Sequence, residues 1–147
     1  MYFDSHAHLT EDCFAQDVDS IVENVKAASV TGMMEIGFDL PSSEKAVQLA
    51  GRFSWVHAAV GSHPDDAAQV DEARIAVYRE LCKNPRVKAI GEIGLDYHYE
   101  DPPRDVQQRA FRLQSKGRMQ GLPMAWAEAM DSNSSLASLG VTGDLIF

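Results

Sequence analysis

The 147-residue sequence has no apolar run near the roughly 20 residues a membrane-spanning helix needs. Its opening Met1-Tyr2-Phe3-Asp4 also lacks the basic and apolar stretches of a secretory leader. No membrane partner is therefore expected. Cysteine is scarce: Cys13 and Cys82 stand far apart, at no zinc or redox spacing, so a reduced cytoplasmic protein is expected. Positive charge is in the minority, with 13 Lys plus Arg against 22 Asp plus Glu and a net charge of −9. Such a surface repels phosphates, which excludes nucleic-acid binding by bulk charge unless a bound divalent cation reverses the sign locally. The chain is also short. It suits one domain, not a complete barrel of eight βα units, which takes about 250 residues. What it does contain, 45% hydrophobic and 24% charged residues, excludes a disordered chain.

The charge is uneven: residues 1–100 hold 17 acids and 8 bases, whereas residues 101–147 hold 5 of each. Arg104, Arg109, Arg112, Lys116 and Arg118 sit with Asp105 in a basic stretch that reads as a solvated helix face or a phosphate-facing edge. Hydrophobic periodicity alternates between strand and helix. Strands are expected at Tyr2–His6, Met33–Gly37, Trp55–Val60, Val87–Gly91 and Gly121–Trp126. Helices are expected from Asp17, as N-cap, to Val30 with Gly32 as the stop, from Pro41 to Gly51, from Asp71 to Lys83, and from Pro103 to Met119. This alternation specifies βαβ units and a parallel sheet. Residues 131–135 are polar and turn-like, and the last twenty residues lack a strong period.

Three clusters could carry chemistry. In Asp4-Ser5-His6-Ala7-His8-Leu9, two histidines at i and i+2 of an extended segment point the same way and can meet one cation. Val60-Gly61-Ser62-His63-Pro64-Asp65 follows the third strand, placing His63 at the same mouth or simply in a turn. Gly91-Glu92-Ile93-Gly94-Leu95-Asp96-Tyr97 closes the fourth strand. There Glu92 is an acid among apolar and glycine residues, needing a metal ion or a base such as Lys88 as partner. Asp96 is either a supporting group or a turn cap. His57 and the tryptophans Trp55 and Trp126 read as packing residues, His98 as exposed, and both cysteines as small apolar residues. All three clusters follow strands, the edge at which parallel α/β sheets bind ligands.

The stretches Phe3-Asp4-Ser5-His6-Ala7-His8-Leu9, Gly61-Ser62-His63-Pro64, Gly91-Glu92-Ile93-Gly94-Leu95-Asp96-Tyr97 and Gln107-Gln108-Arg109-Ala110-Phe111-Arg112-Leu113-Gln114 occur in the order seen in the TatD-type metal-dependent hydrolases. Residues 1 to about 114 resemble that family. The resemblance implies an α/β fold of parallel βα repeats, the first half of a TIM-type (β/α)8 barrel. It implies His6, His8 and Glu92 as metal ligands, with Glu92 able to bridge two ions, and His63 near the substrate phosphate. The cofactor implied is one or two divalent ions, Mg, Mn or Zn, and the activity is hydrolysis of DNA phosphodiesters. The pattern departs after Gly121-Leu122-Pro123. The family's histidine ligand and following arginine are missing from Met124–Met130, no histidine follows His98, and nothing matches the catalytic aspartate. The expectation is therefore a partial barrel over residues 1–126 and a divergent, disordered tail over 127–147, with truncation as its origin and turnover impaired. The alternatives are an inactive half-barrel retaining only metal binding, or a related amidohydrolase acting on another substrate. A half-barrel exposes strand edges, which favours self-association.

Overall fold

The computed structural model describes residues 2–116, 124–126 and 145–146. The first strand, β1 (Tyr2–Ala7), is followed by α1 (Val18–Ala27), β2 (Val30–Ile36), α2 (Leu40–Arg52), β3 (Val56–Val60), α3 (Glu72–Leu81), β4 (Val87–Ile93) and α4 (Arg104–Lys116). Short strands β5 (Met124–Trp126) and β6 (Leu145–Ile146) complete the sheet, and 3-10 helices occupy Asp12–Phe14 and Pro64–Gln69. The six strands lie in chain order, and every neighbouring pair is parallel. Sequential order with helical crossovers is the winding of a (β/α) barrel, and the sheet forms a half-barrel.

The two faces of the sheet bury different side chains. Val56, Ala58 and Val60 of β3 join Val22, Leu49, Ile75, Tyr78 and Phe111 in the core beneath the helices. Ala59 alternates with them and packs with Ile36 and Ala89 in a separate small cluster, as the two-residue period of a strand requires. The helix starts are locally encoded. Asp39 accepts a hydrogen bond from Ser42 N at 2.7 Å while Asp39 N donates to Ser42 Oγ at 2.9 Å, a reciprocal cap on α2. Asp71 caps α3 by accepting from Arg74 N at 2.8 Å.

The largest boundary difference from the sequence expectation lies between α1 and β2, while β4 runs two residues past the expected Gly91. Helix α1 ends at Ala27, Ser29 turns the chain at φ 71°, and Val30 and Gly32 belong to β2. In β2, Val30 pairs with Tyr2 and Gly32 with Phe3, and the Phe3 ring fills the space a Cβ on Gly32 would take. Glycine here answers a close approach between strands, not a helix stop. Asp17 does stand at the N-cap of α1, but its side chain accepts no capping hydrogen bond. The expected tail falls outside the described residues, apart from Leu145–Ile146, which pair with β5. Among the described residues no helix is long and apolar enough to cross a membrane.

Candidate metal centre

Strand β1 runs to Ala7, so His6 is a strand residue and His8 the first residue beyond it. Glu92 is the penultimate residue of β4. The structure brings all three to one point at the carboxyl edge of the sheet. His6 Nε2 and His8 Nε2 are 3.0 Å apart, and Glu92 Oε2 lies 3.8 and 3.6 Å from them. Three atoms at these separations share a point about 2.0 Å from each, the bond length of a zinc–histidine contact. The donor set therefore fits a small divalent cation without rearrangement. Glu92 faces the imidazoles, and Lys88 of the same strand is exposed.

Strand β2 sets the orientation of His8. Its Nδ1 lies 3.0 Å from the carbonyl oxygen of Ile36. A carbonyl only accepts, so Nδ1 carries the proton and Nε2 presents its lone pair to the other two groups. The loop after His8 is held by Glu35, a fully buried carboxylate that the sequence reading passed over. Its Oε1 accepts from Thr10 N (2.8 Å) and Thr10 Oγ1 (2.9 Å), and its Oε2 accepts from Leu9 N (3.0 Å). Burial pushes the Glu35 carboxyl above its ordinary range, while those hydrogen bonds and His8 pull it down. The available signal was the one that marked Glu92: an acid inside an apolar strand, Met33-Met34-Glu35-Ile36.

His63 lies outside the three-residue cluster but opens onto the same cleft. Its backbone N–H donates to Phe38 O at 2.7 Å, and its Nδ1 accepts from Asp65 N at 3.2 Å. That occupies one of the two ring nitrogens and leaves Nε2 outside this turn. The cleft has a volume of about 490 Å³, within the range of about 300–1,000 Å³ typical of small-molecule pockets. It is lined by His8, His63, Phe38 and five acids: Glu11, Asp39, Asp65, Asp66 and Glu92. Two of these acids are engaged. Asp39 caps α2, and Asp66 pairs with Arg74. Burial raises the Asp66 carboxyl and Arg74 opposes the shift.

The loops carrying this rim are fastened from α4. Gln114 accepts from Ser62 N at 2.8 Å and donates to Ser62 O at 3.1 Å, next to His63. Gln107, seven residues earlier on the same helix, accepts from Asp96 N at 2.9 Å and donates to Asp96 O at 2.7 Å. Both glutamines are buried. Asp96 itself caps a turn, its Oδ1 accepting from His98 N at 2.8 Å. Tyr78 supports the Gly61–Ser62 turn through its hydroxyl, 3.0 Å from Gly61 O, and burial pushes that phenol up to about 12, outside any proton-transfer role near neutrality.

The remaining residues of interest separate from the site. His57 is half-buried with Nδ1 lacking a partner among the described residues, and burial lowers its pKa. Trp55 packs partly against the core, whereas the Trp126 side chain lies outside the described residues. His98 is exposed and stacks edge-on against Tyr99. Cys82 is buried, but Cys13 is exposed on a 3-10 turn and does not serve as an apolar core residue. Arg104, Arg109 and Arg112 are exposed on α4, a solvated face, with Arg104 lying 4.5 Å over the Tyr97 ring. The Lys116 side chain and Arg118 lie outside the described residues.

The chain is similar to known proteins in sequence and in fold. An uncharacterized metal-dependent hydrolase of Bacillus subtilis (strain 168), YabD, is 39% identical over 114 residues, which are 78% of this chain and 45% of that protein. The 3'-5' ssDNA/RNA exonuclease TatD of Salmonella typhimurium is 37% identical over 112 residues, 76% of this chain and 43% of its own. Among solved structures, the TatD homolog YJJV of Escherichia coli K12 superposes with a TM-score of 0.77 at 23% identity, covering 85% of this chain and 49% of that one. A TatD family hydrolase from Entamoeba histolytica gives the same TM-score at 21% identity. The chain spans less than half the length of these curated relatives. The sequence profile of the family described as TatD related DNase matches residues 3–119, and the chain belongs to that family.

Proposed function

We propose that this chain carries the amino-terminal part of a metal-dependent hydrolase site for phosphodiesters of DNA, with His6, His8 and Glu92 as metal ligands and His63 as a phosphate contact. The observation that supports it most is the spacing of the three donor atoms, which matches one small cation at ordinary bond lengths. Two imidazoles and a carboxylate suit zinc or manganese, and magnesium if further oxygen ligands join. When bound, such an ion supplies Lewis-acid polarisation of a phosphoryl oxygen and a water of lowered pKa. The protein's own groups do the rest. Glu92 brings negative charge that balances the cation, His8 is locked in its ligating tautomer by Ile36 O, and His63 Nε2 offers a hydrogen bond to a non-bridging oxygen.

The electrostatics favour this order of events. Among the described residues, no lysine or arginine lines the cleft, and five carboxylates do. A polyanion therefore enters only against cations already held there. The nucleic-acid substrate also accords with the names of the exonuclease relatives. A cytoplasmic location and self-association through the exposed β1 edge belong to the same reading.

For these 147 residues alone we expect strongly reduced turnover. The triad supplies only three donors, and Asp39 and Asp66 are already committed to α2 and Arg74. The test is cleavage of an end-labelled single-stranded oligonucleotide with Mg²⁺, Mn²⁺ or Zn²⁺. The expected rate lies far below the ordinary range of about 1–10³ s⁻¹, and Glu92→Gln removes what remains. Metal-dependent cleavage unchanged in Glu92→Gln contradicts the assignment.

A further inference from the structure

Among the described residues, the cleft beside the proposed metal centre is lined by one purely apolar side chain, that of Phe38, and nothing in the hydrolysis of a phosphodiester requires it. The ring stands edge-on to His8 with centroids 5.5 Å apart, so it borders the space next to the ligand cluster. Its backbone is pinned at both ends: Phe38 N donates to Ser42 Oγ at 2.9 Å, and Phe38 O accepts from His63 N at 2.7 Å. The preceding Gly37 N donates to Ala59 O at 3.0 Å. Phe38 therefore sits on a rigid mount that spans β2, α2 and the His63 turn, flanked by the proposed ligand His8 and the proposed phosphate contact His63. Yet the side chain is only half-buried and turned to the cleft rather than taken into either hydrophobic cluster.

We propose that Phe38 is a nucleobase-stacking subsite, holding the base of the nucleotide whose phosphate lies at the His6, His8 and Glu92 cluster. The proposal rests on the reading of that cluster as a metal-dependent phosphodiester site. Two features, one of the ring and one of the base, define the ligand. A phenyl group has no hydrogen-bonding edge, so it accepts any base and reads no sequence. A base within a duplex has both faces covered by its neighbours, so only an unpaired, unstacked base can reach the ring. In a cleft of five carboxylates, stacking on an uncharged ring is also an attraction that charge repulsion does not weaken. The subsite thus selects single-stranded ends through a π-face and leaves the phosphate to the cations.

The experiment uses the 147-residue chain with three probes: thymidine 5'-phosphate, deoxyribose 5-phosphate and thymidine. In Mg²⁺, thymidine 5'-phosphate should bind about 5- to 100-fold more tightly than deoxyribose 5-phosphate, the increment expected of one stacked base. Phe38→Ala should erase that ratio while Phe38→Trp keeps it, which separates stacking from a role in holding the loop. Thymidine carries no phosphate and needs no metal, so saturation-transfer NMR between its base protons and the Phe38 ring reads the subsite independently. Transfer in the wild type that disappears in Phe38→Ala supports the proposal. No transfer, or an equal ratio in wild type and Phe38→Ala, overturns it. Retained thymidine transfer with no Mg²⁺-dependent binding of deoxyribose 5-phosphate supports the subsite and instead refutes the metal reading.

Discussion

The role proposed for His8 as a ligand depends on its Nδ1 proton being held by Ile36 O and its loop by Glu35, both on β2. Glu35→Ala leaves three donors of Leu9 and Thr10 without their acceptor, at about 1–3 kcal/mol for each that stays buried. Denaturant unfolding should show that loss. Glu35→Gln keeps the shape but turns one oxygen into a donor facing an N–H, and metal affinity should fall about 10–100-fold, as for groups that support ligands. Unchanged affinity and stability in both variants would remove Glu35 from the account. His57 gives a separate prediction. Burial, with Lys88 and Arg86 nearby, lowers its pKa, so the unfolded chain binds the proton first as pH falls. Its contribution to stability is present above about pH 6.5 and is lost below it. Comparing wild type with His57→Leu by denaturant unfolding between about pH 7.5 and 5.5, the wild type should lose more. Equal losses would contradict it. At this scale the sequence made Glu92 legible because glycines isolate it, whereas Glu35 and Phe38 read as ordinary strand and loop residues until β2 is laid beside β1 and β3. Their roles arise from neighbours 25 or more residues away, which periodicity does not encode.

Helices and strands were legible where the pattern was local. The α2 and α3 spans and the parallel strands follow from short-range signals, although α2 begins at Leu40, capped by Asp39, and not at Pro41. The end of α1 did not, because the glycine that looked like a stop belongs to a strand packed on Phe3. Gly32→Ala should therefore destabilise through displacement of the Phe3 ring and disturb β1 beneath His6, which thermal unfolding together with metal titration would register. No effect on either would mean the strand pair yields freely. Helix α4 was expected on periodicity, and Gln107 and Gln114 stood out only as part of a stretch resembling the family, while their function in fastening two loops came from the fold. Gln114→Leu fits the volume yet orphans Ser62 N–H and C=O, at about 1–3 kcal/mol each. The loss should appear in unfolding midpoints, and a midpoint equal to wild type would show that the β3 turn holds without α4.

Across the whole molecule, a sheet with β1 at one edge leaves Tyr2 and Phe3 exposed, at 69% and 55%. Unpaired parallel edges with aromatic side chains invite pairing with another chain. Light scattering after gel filtration should show mass rising with concentration, and Phe3→Lys should reduce the rise; a concentration-independent monomer would contradict self-association. The alternation of elements made βα repeats and a parallel sheet readable, the half-barrel followed from the resemblance to the TatD-type hydrolases, and the curated relatives match the chain over less than half of their length. Everything proposed for function nevertheless depends on three side chains, His6 of β1, His8 just beyond it and Glu92 of β4, acting as one ion-binding group. The most direct test is calorimetric titration of the chain with Zn²⁺ beside the doubly substituted His6→Ala, His8→Ala chain. A saturable heat in the wild type that vanishes in the variant is the predicted result, and equal heats in the two proteins would contradict the account.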